Sequence, residues 1–210
     1  IPSENEMFNA LAERHGKVLQ EKLSSAKVAI CGIGGLGSNI AITLARAGIG
    51  QLHIMDFDRV DISNLNRQQY FAEQIGLYKT DAMTINLHRI APYCRIVSEN
   101  IRLDENNIPE ILKNDDIICE AFDNPESKAT LVNSVLENFP EKYIVGGSGM
   151  AGLESANSIT TRRVMKNFYL CGDGKSDVAD GNGLFASRVM VCAGHQANMI
   201  LRIIAGKLDI

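Results

Sequence analysis

A glycine run set between a strand and a helix constrains this chain more than any other feature. Lys27 to Cys31 reads as a short apolar strand, Gly32-Ile33-Gly34-Gly35-Leu36-Gly37 follows at once, and Leu36 to Ala47 reads as a helix ended by Gly48. Glycines at 32, 34 and 37 let backbone amides and a helix N-terminus approach an anionic phosphate without side-chain obstruction. The next strand, Gln51 to Asp56, ends in an acid about twenty residues further on, where a carboxylate accepts hydrogen bonds from ribose hydroxyls. On these features alone, a NAD or FAD oxidoreductase and an ATP user both stand. A glycine turn that only packs a helix closely is the structural alternative.

The remaining pattern extends the same architecture. Apolar residues from Glu4 to Leu23 recur at helical spacing around Gly16 and predict one or two amphipathic helices over residues 1–26, ahead of a nucleotide-binding domain over 27–210. Helices are predicted over Lys79 to Ala91, Asn106 to Lys113, Pro125 to Asn138 and Leu184 to Ala205, and strands over Arg95 to Glu99, Ile117 to Phe122 and Lys142 to Val145. This alternation predicts an α/β, Rossmann-like fold: a mostly parallel sheet with helices on both faces. Ser155 to Phe168 alternates enough to add an antiparallel hairpin at one edge, and Cys171 to Gly183 reads as a long polar loop.

At 22.9 kDa the expectation is one domain overall. A net charge of −4 lacks the basic excess of charge-driven nucleic-acid binding, and no nucleic-acid partner is expected. The sequence holds no signal-like start and no stretch of membrane-span length, so the expected address is the cytoplasm, with no membrane partner. Five cysteines without a Cys-x-x-Cys pair imply neither a disulfide framework nor a structural zinc.

The stretch after Asp56 separates the nucleotide readings. A dinucleotide reductase has no need for Ser63-Asn64-Leu65-Asn66-Arg67-Gln68, whereas an enzyme handling a triphosphate needs cations beside its phosphates, which Arg67 and Lys79 supply. Both could instead be solvated surface charges. Gly32 to Asn39, Asp56-Phe57-Asp58, Ser63 to Gln68, Gly76-Leu77-Tyr78-Lys79 and Phe122-Asp123-Asn124, in this order, resemble the ThiF/MoeB/HesA family, relatives of the ubiquitin-activating enzymes, over roughly residues 10 to 205. Among its branches the chain is most similar to short ThiF-like proteins associated with thiamine biosynthesis.

The resemblance implies adenylation of the C-terminal glycine carboxylate of a small ubiquitin-like, ThiS-like sulfur carrier ending in Gly-Gly, with ATP and Mg²⁺. It implies that Gly32, Gly34, Gly35 and Gly37 shape the nucleotide site, with Asp56 on the ribose and Asp58 beside it. Asn64, Arg67, Gln68 and Lys79 would contact phosphates, and Asp123, with Asn124 next to it, would engage the metal. Arg14 matches an arginine that crosses a homodimer into the partner's ATP site. The catalytic set is then Arg67, Lys79, Asp123 and Arg14. Asp123 can also be read as the N-cap of the helix that starts at Pro125, and Arg14 as a plain surface residue. His15, next to Arg14, is placed near the site by sequence proximity alone.

The sequence departs from the family in lacking the zinc-binding Cys-x-x-Cys pairs of many bacterial members, and no appended rhodanese-like domain is expected. Cys171 is the one cysteine placed in the polar loop, where a nearby Lys175 would lower its pKa for a covalent link to the carrier; an incidental thiol tucked under Tyr169 and Leu170 is the other reading. Activation of another carboxylate or a tRNA-linked one, and ATP binding without chemistry in a dimeric module, are the alternative functions.

Overall fold

The computed structural model describes residues 1–210 and opens with two helices, α1 (Glu4–His15) and α2 (Lys17–Ser25). Ser3 starts α1 by accepting the Glu6 N–H while Glu6 reaches back to the Ser3 N–H, satisfying two donors the helix leaves free. Gly16, at φ 92°, separates the two helices in a conformation that a residue with a β-carbon rarely adopts.

Seven strands follow: β1 (Lys27–Cys31), β2 (Gln51–Met55), β3 (Arg95–Glu99), β4 (Ile117–Glu120), β5 (Tyr143–Gly147), β6 (Thr160–Met165) and β7 (Phe168–Gly172). They form one sheet in the order β3-β2-β1-β4-β5-β7-β6. Every pairing is parallel except β6 with β7, which supplies the expected antiparallel edge. Helices α3 (Gly35–Ala47), α4 (Lys79–Ile90) and α7 (Ala186–Ile204) lie against one face, and α5 (Ile108–Leu112) and α6 (Pro125–Asn138) against the other.

β1 shows why the strands read as continuous apolar runs. Val28 and Ile30 face the core shared with Ile40, Leu44 and Ile200, while Ala29 and Cys31 face Leu112, Leu131 and Val135. A parallel strand covered on both sides has no polar face to show. Each large side chain buried this way contributes about 1.5–3 kcal/mol.

The chain runs outward from β1 to β3, then returns to β4 on the other side of β1. At such a reversal the loops leaving adjacent strands diverge and open a crevice at the carboxyl ends.

Candidate nucleotide site

A cavity of about 260 Å³ occupies that crevice. It is lined from β1 by Gly32, Gly34, Gly35 and Leu36, from β2 by Asp56 to Asp58, from β3 by Ile101 to Leu103, and from β4 by Ala121 to Asn124. Arg67, Gln68 and Lys79 close one side, and Met150, Leu184 and Val189 another.

The glycines divide their work. Gly32, at φ 93°, makes the turn out of β1, and Gly34 stands at the N-terminus of α3 without a side-chain cap, leaving first-turn amides for an anion. Gly37 does not line the cavity: a β-carbon there would lie 1.9 Å from the Gly32 carbonyl oxygen, so this residue lets α3 pack onto the turn. Its expected place beside the nucleotide gives way to a packing role.

Asp56 is anchored on both oxygens, accepting the Ile33 N–H at 2.7 Å and the Asp58 N–H at 2.8 Å. Burial raises its pKa, and the Lys79 charge and these two bonds oppose the rise. Lys79 is itself only 6% exposed and bonds Asp58 at 2.8 Å, so it is no solvated surface charge. Arg67 is steadied by the Ser63 carbonyl at 3.1 Å and Asn66 Oδ1 at 2.7 Å. Gln68 is buried, and its Oε1 has no hydrogen-bond partner within the chain. An orphaned acceptor in a cavity lining is costly unless a ligand or water donates to it.

Asp123 is exposed at the rim. It does not cap α6: Asn124 does, accepting the Ser127 N–H at 2.9 Å, which leaves the Asp123 carboxylate available to a ligand. Asn64 lies outside the lining, its Oδ1 accepting the Asp61 N–H at 3.1 Å within its own turn. Arg14 is exposed on α1 and does not reach this chain's cavity. His15 bonds Gln20 at 2.6 Å and is likewise outside it.

Amides at a helix start, an anchored acid, two cations and an orphaned acceptor fit a nucleoside triphosphate, whose hydroxyls donate and whose phosphates accept. One rim carboxylate suits Mg²⁺, which is held by one or two carboxylates together with substrate phosphates.

The pattern of the ThiF family matches residues 7–210. The chain belongs to the ThiF family. It is 41% identical over 150 residues to the adenylyltransferase and sulfurtransferase UBA4 of Eremothecium gossypii, covering 71% of this chain and 33% of that protein. It is 39% identical over 113 residues to the molybdopterin-synthase adenylyltransferase of Haemophilus influenzae, covering 53% of this chain and 46% of that one. The chain thus spans a third to under half the length of these curated relatives. Among solved structures, it resembles the ATP complex of Escherichia coli tRNA N6-threonylcarbamoyladenosine dehydratase with a TM-score of 0.88 at 21% identity, covering 99% of this chain and 98% of that one.

Two features of this ThiF-family chain differ from the sequence expectation. Cys171 lies within β7, fully buried, and burial pushes its thiol up to about 11, with only the Thr161 hydroxyl opposing. The mobile-loop placement and the lowering by Lys175 are therefore corrected: Phe168 to Gly172 pairs with both β5 and β6, and Tyr169 and Cys171 point into the core. The second is a buried network behind the Asp123 loop. Glu120, 2% exposed, binds Lys128 Nζ at 2.9 and 3.0 Å, and Gln196 donates to the Glu120 carbonyl at 2.9 Å. Burial raises the Glu120 pKa and Lys128 opposes it. The one sequence cue is an acid directly after the apolar run Ile117 to Cys119, inside the stretch that predicts a strand. No helix is long and apolar enough to cross a membrane.

Proposed function

We propose that the chain is an ATP-dependent adenylyltransferase that activates the C-terminal glycine carboxylate of a small ubiquitin-like carrier protein. The observation that carries this reading is the convergence of Arg67, Lys79 and Asp123 with the amides at the start of α3 around one cavity. Membership of the ThiF family and relatives named as adenylyltransferases support it.

The reaction joins a carboxylate oxygen to the α-phosphorus of ATP and breaks the bond to the β-phosphate, releasing pyrophosphate. Two anions must meet, so positioned positive charge is the main requirement. Lys79 and Arg67 offset that repulsion and stabilise the leaving group, while Asp56 orients the ribose and Gln68 Oε1 accepts from a nucleotide donor. Asp123 would hold Mg²⁺, which supplies further neutralisation of phosphate charge. The attacking carboxylate is already ionised, so no general base is needed.

A protein tail is favoured as acceptor because the end of β5 and the strip after it carry Gly146, Gly147, Gly149 and Gly152 beside the cavity residue Met150. An extended glycine tail fits where side chains would clash. A ThiS-like carrier in thiamine thiazole formation is the narrowest form of the reading, resting on the sequence resemblance. The second reading, a tRNA-linked carboxylate, is favoured by the end-to-end match to a tRNA-modifying dehydratase and disfavoured by the net charge of −4. Arg14, exposed on α1, completes a partner's site in a homodimer.

ATP–pyrophosphate exchange with Mg²⁺ tests these readings. Exchange dependent on a carrier with an intact Gly-Gly tail is expected. Exchange stimulated only by tRNA would favour the second reading, and ATP binding without exchange under any acceptor would leave a binding module.

A further inference from the structure

Behind the Asp123 loop, four elements meet on one buried ion pair. Glu120 ends β4, and its Oε1 accepts the Phe122 N–H at 2.7 Å, fixing the chain one residue before Asp123. Lys128, one turn into α6, binds both Glu120 oxygens and donates to the Gly147 carbonyl at 2.8 Å. Gln196 of α7, fully buried, ties the Glu120 carbonyl to that of Val145 with bonds of 2.9 and 3.4 Å. A β-carbon at Gly146 would stand 3.1 Å from Glu120 Oε2, so the strand beside the pair has no side chain to spare. Neither Glu120 nor Lys128 lines the cavity.

The geometry points to Lys128 and Glu120 as positioning residues that hold Asp123 where it can engage a nucleotide-bound divalent cation, and that lock this loop to the glycine end of β5. The inference rests on the nucleotide reading above. The loop from Ala121 to Asn124 otherwise has few constraints at its rim: Asp123 and Asn124 are exposed, and the Asn124 side chain is occupied with capping α6. Without the Lys128 ammonium, Glu120 would be a buried charge with two backbone N–H contacts, from Phe122 and from Gly147 at 3.4 Å, and would turn toward water. The Phe122 N–H, and with it the Asp123 backbone, would then lose its fixed partner.

The test is calorimetric titration of the full chain with ATP in excess Mg²⁺ and with ATP in EDTA. The wild type is expected to bind ATP roughly tenfold more tightly with the cation, and Asp123→Asn to lose that preference. Lys128→Met and the milder Lys128→Gln, each checked for folding by thermal unfolding, are expected to lower the preference to about twofold or less while leaving the affinity in EDTA within about threefold of wild type. Lys128→Arg restores it. A general structural defect would weaken both titrations alike, and this outcome, or an intact Mg²⁺ preference in a folded Lys128→Met or Lys128→Gln, would overturn the positioning role alone. A wild type that binds no ATP in either buffer would overturn the nucleotide reading and this inference with it.

Discussion

Two lysine–carboxylate pairs flank the cavity, and they are built in opposite senses. In the Lys79–Asp58 pair the lysine side chain is 7% exposed and the carboxylate 51%; in the Lys128–Glu120 pair the lysine is 25% exposed and the carboxylate 2%. Were Lys79 to exchange Asp58 for an anionic ligand, as the proposed reaction requires, the freed carboxylate, already half exposed, would return to water at little cost. When Lys128 releases Glu120, the carboxylate must either stay buried without its cation or leave its place under the Phe122 N–H, and either course costs several kcal/mol. The first pair is suited to exchanging partners during a reaction, and the second to staying fixed. Which member of a pair is buried therefore tells a ligand-binding charge from a fastening one.

The sharpest way to break this contrast is to remove each lysine. Lys79→Ala is expected to lower adenylate formation by about 10²–10³-fold while costing less stability than Lys128→Met, because Asp58 is half exposed and Asp56 keeps its two backbone N–H bonds. Exchange kinetics and urea unfolding of the same preparation read both quantities. Lys128→Met should do the reverse in stability, lowering it by about 3 kcal/mol because Glu120 is left uncompensated. If urea unfolding gave the two variants equal losses, the distinction between exchangeable and fixed pairs would be wrong.

Arg14 extends the comparison to a cation that does not reach the nucleotide cavity of its own chain. Arg14→Ala and Asp123→Ala are each expected to be inactive alone, and an equimolar, subunit-exchanged mixture should regain activity at about a quarter of the sites. Mixing without recovery, or a monomer by light scattering, would remove the shared-site arrangement.

The smallest expected effect concerns a charge cluster far from phosphate chemistry. His53 in β2 bonds Asp115 at 2.9 Å and Glu99 at 3.0 Å. Burial pulls the His53 pKa down, but the two carboxylates outweigh it and the net shift is upward. A histidine raised in the folded state stabilises fully below its ordinary value near 6.5, and that stability is lost as pH rises through the folded value. Unfolding midpoints measured from pH 6 to 9 should therefore decline more steeply in the wild type than in His53→Gln.

Much of this was legible in the sequence, for physical reasons. Strands buried on both faces leave unbroken apolar runs, and a helix start that faces an anion demands glycine, so β1, α3 and Asp56 are written in residue type and spacing. Arg67 and Gln68 were legible through motif order. The Glu120 and Lys128 pair was not, because charges eight positions apart, one ending a strand and one inside a helix, carry no joint pattern until the loop between them folds. Cys171 is hard to place from sequence because the apolar run from Phe168 leads straight into Gly172, Asp173 and Gly174, which read as loop although β7 continues through Gly172. Asn124 takes the cap that was the alternative reading of Asp123, because either short polar side chain suits that position and only backbone geometry decides.

The contact between Gly37 and the Gly32 carbonyl sets a limit on redesign. Since even a methyl group at residue 37 would collide with main chain, the phosphate-facing turn has no neighbouring variants through which its shape can be adjusted in small steps. Diversification of this pocket must enter elsewhere in its lining, at exposed side chains such as Phe57 and Arg102, which meet at the surface and can be exchanged without moving the backbone. The molecule thus separates a wall that tolerates no sampling from one that is open to it, and a mutational library would be informative only on the second.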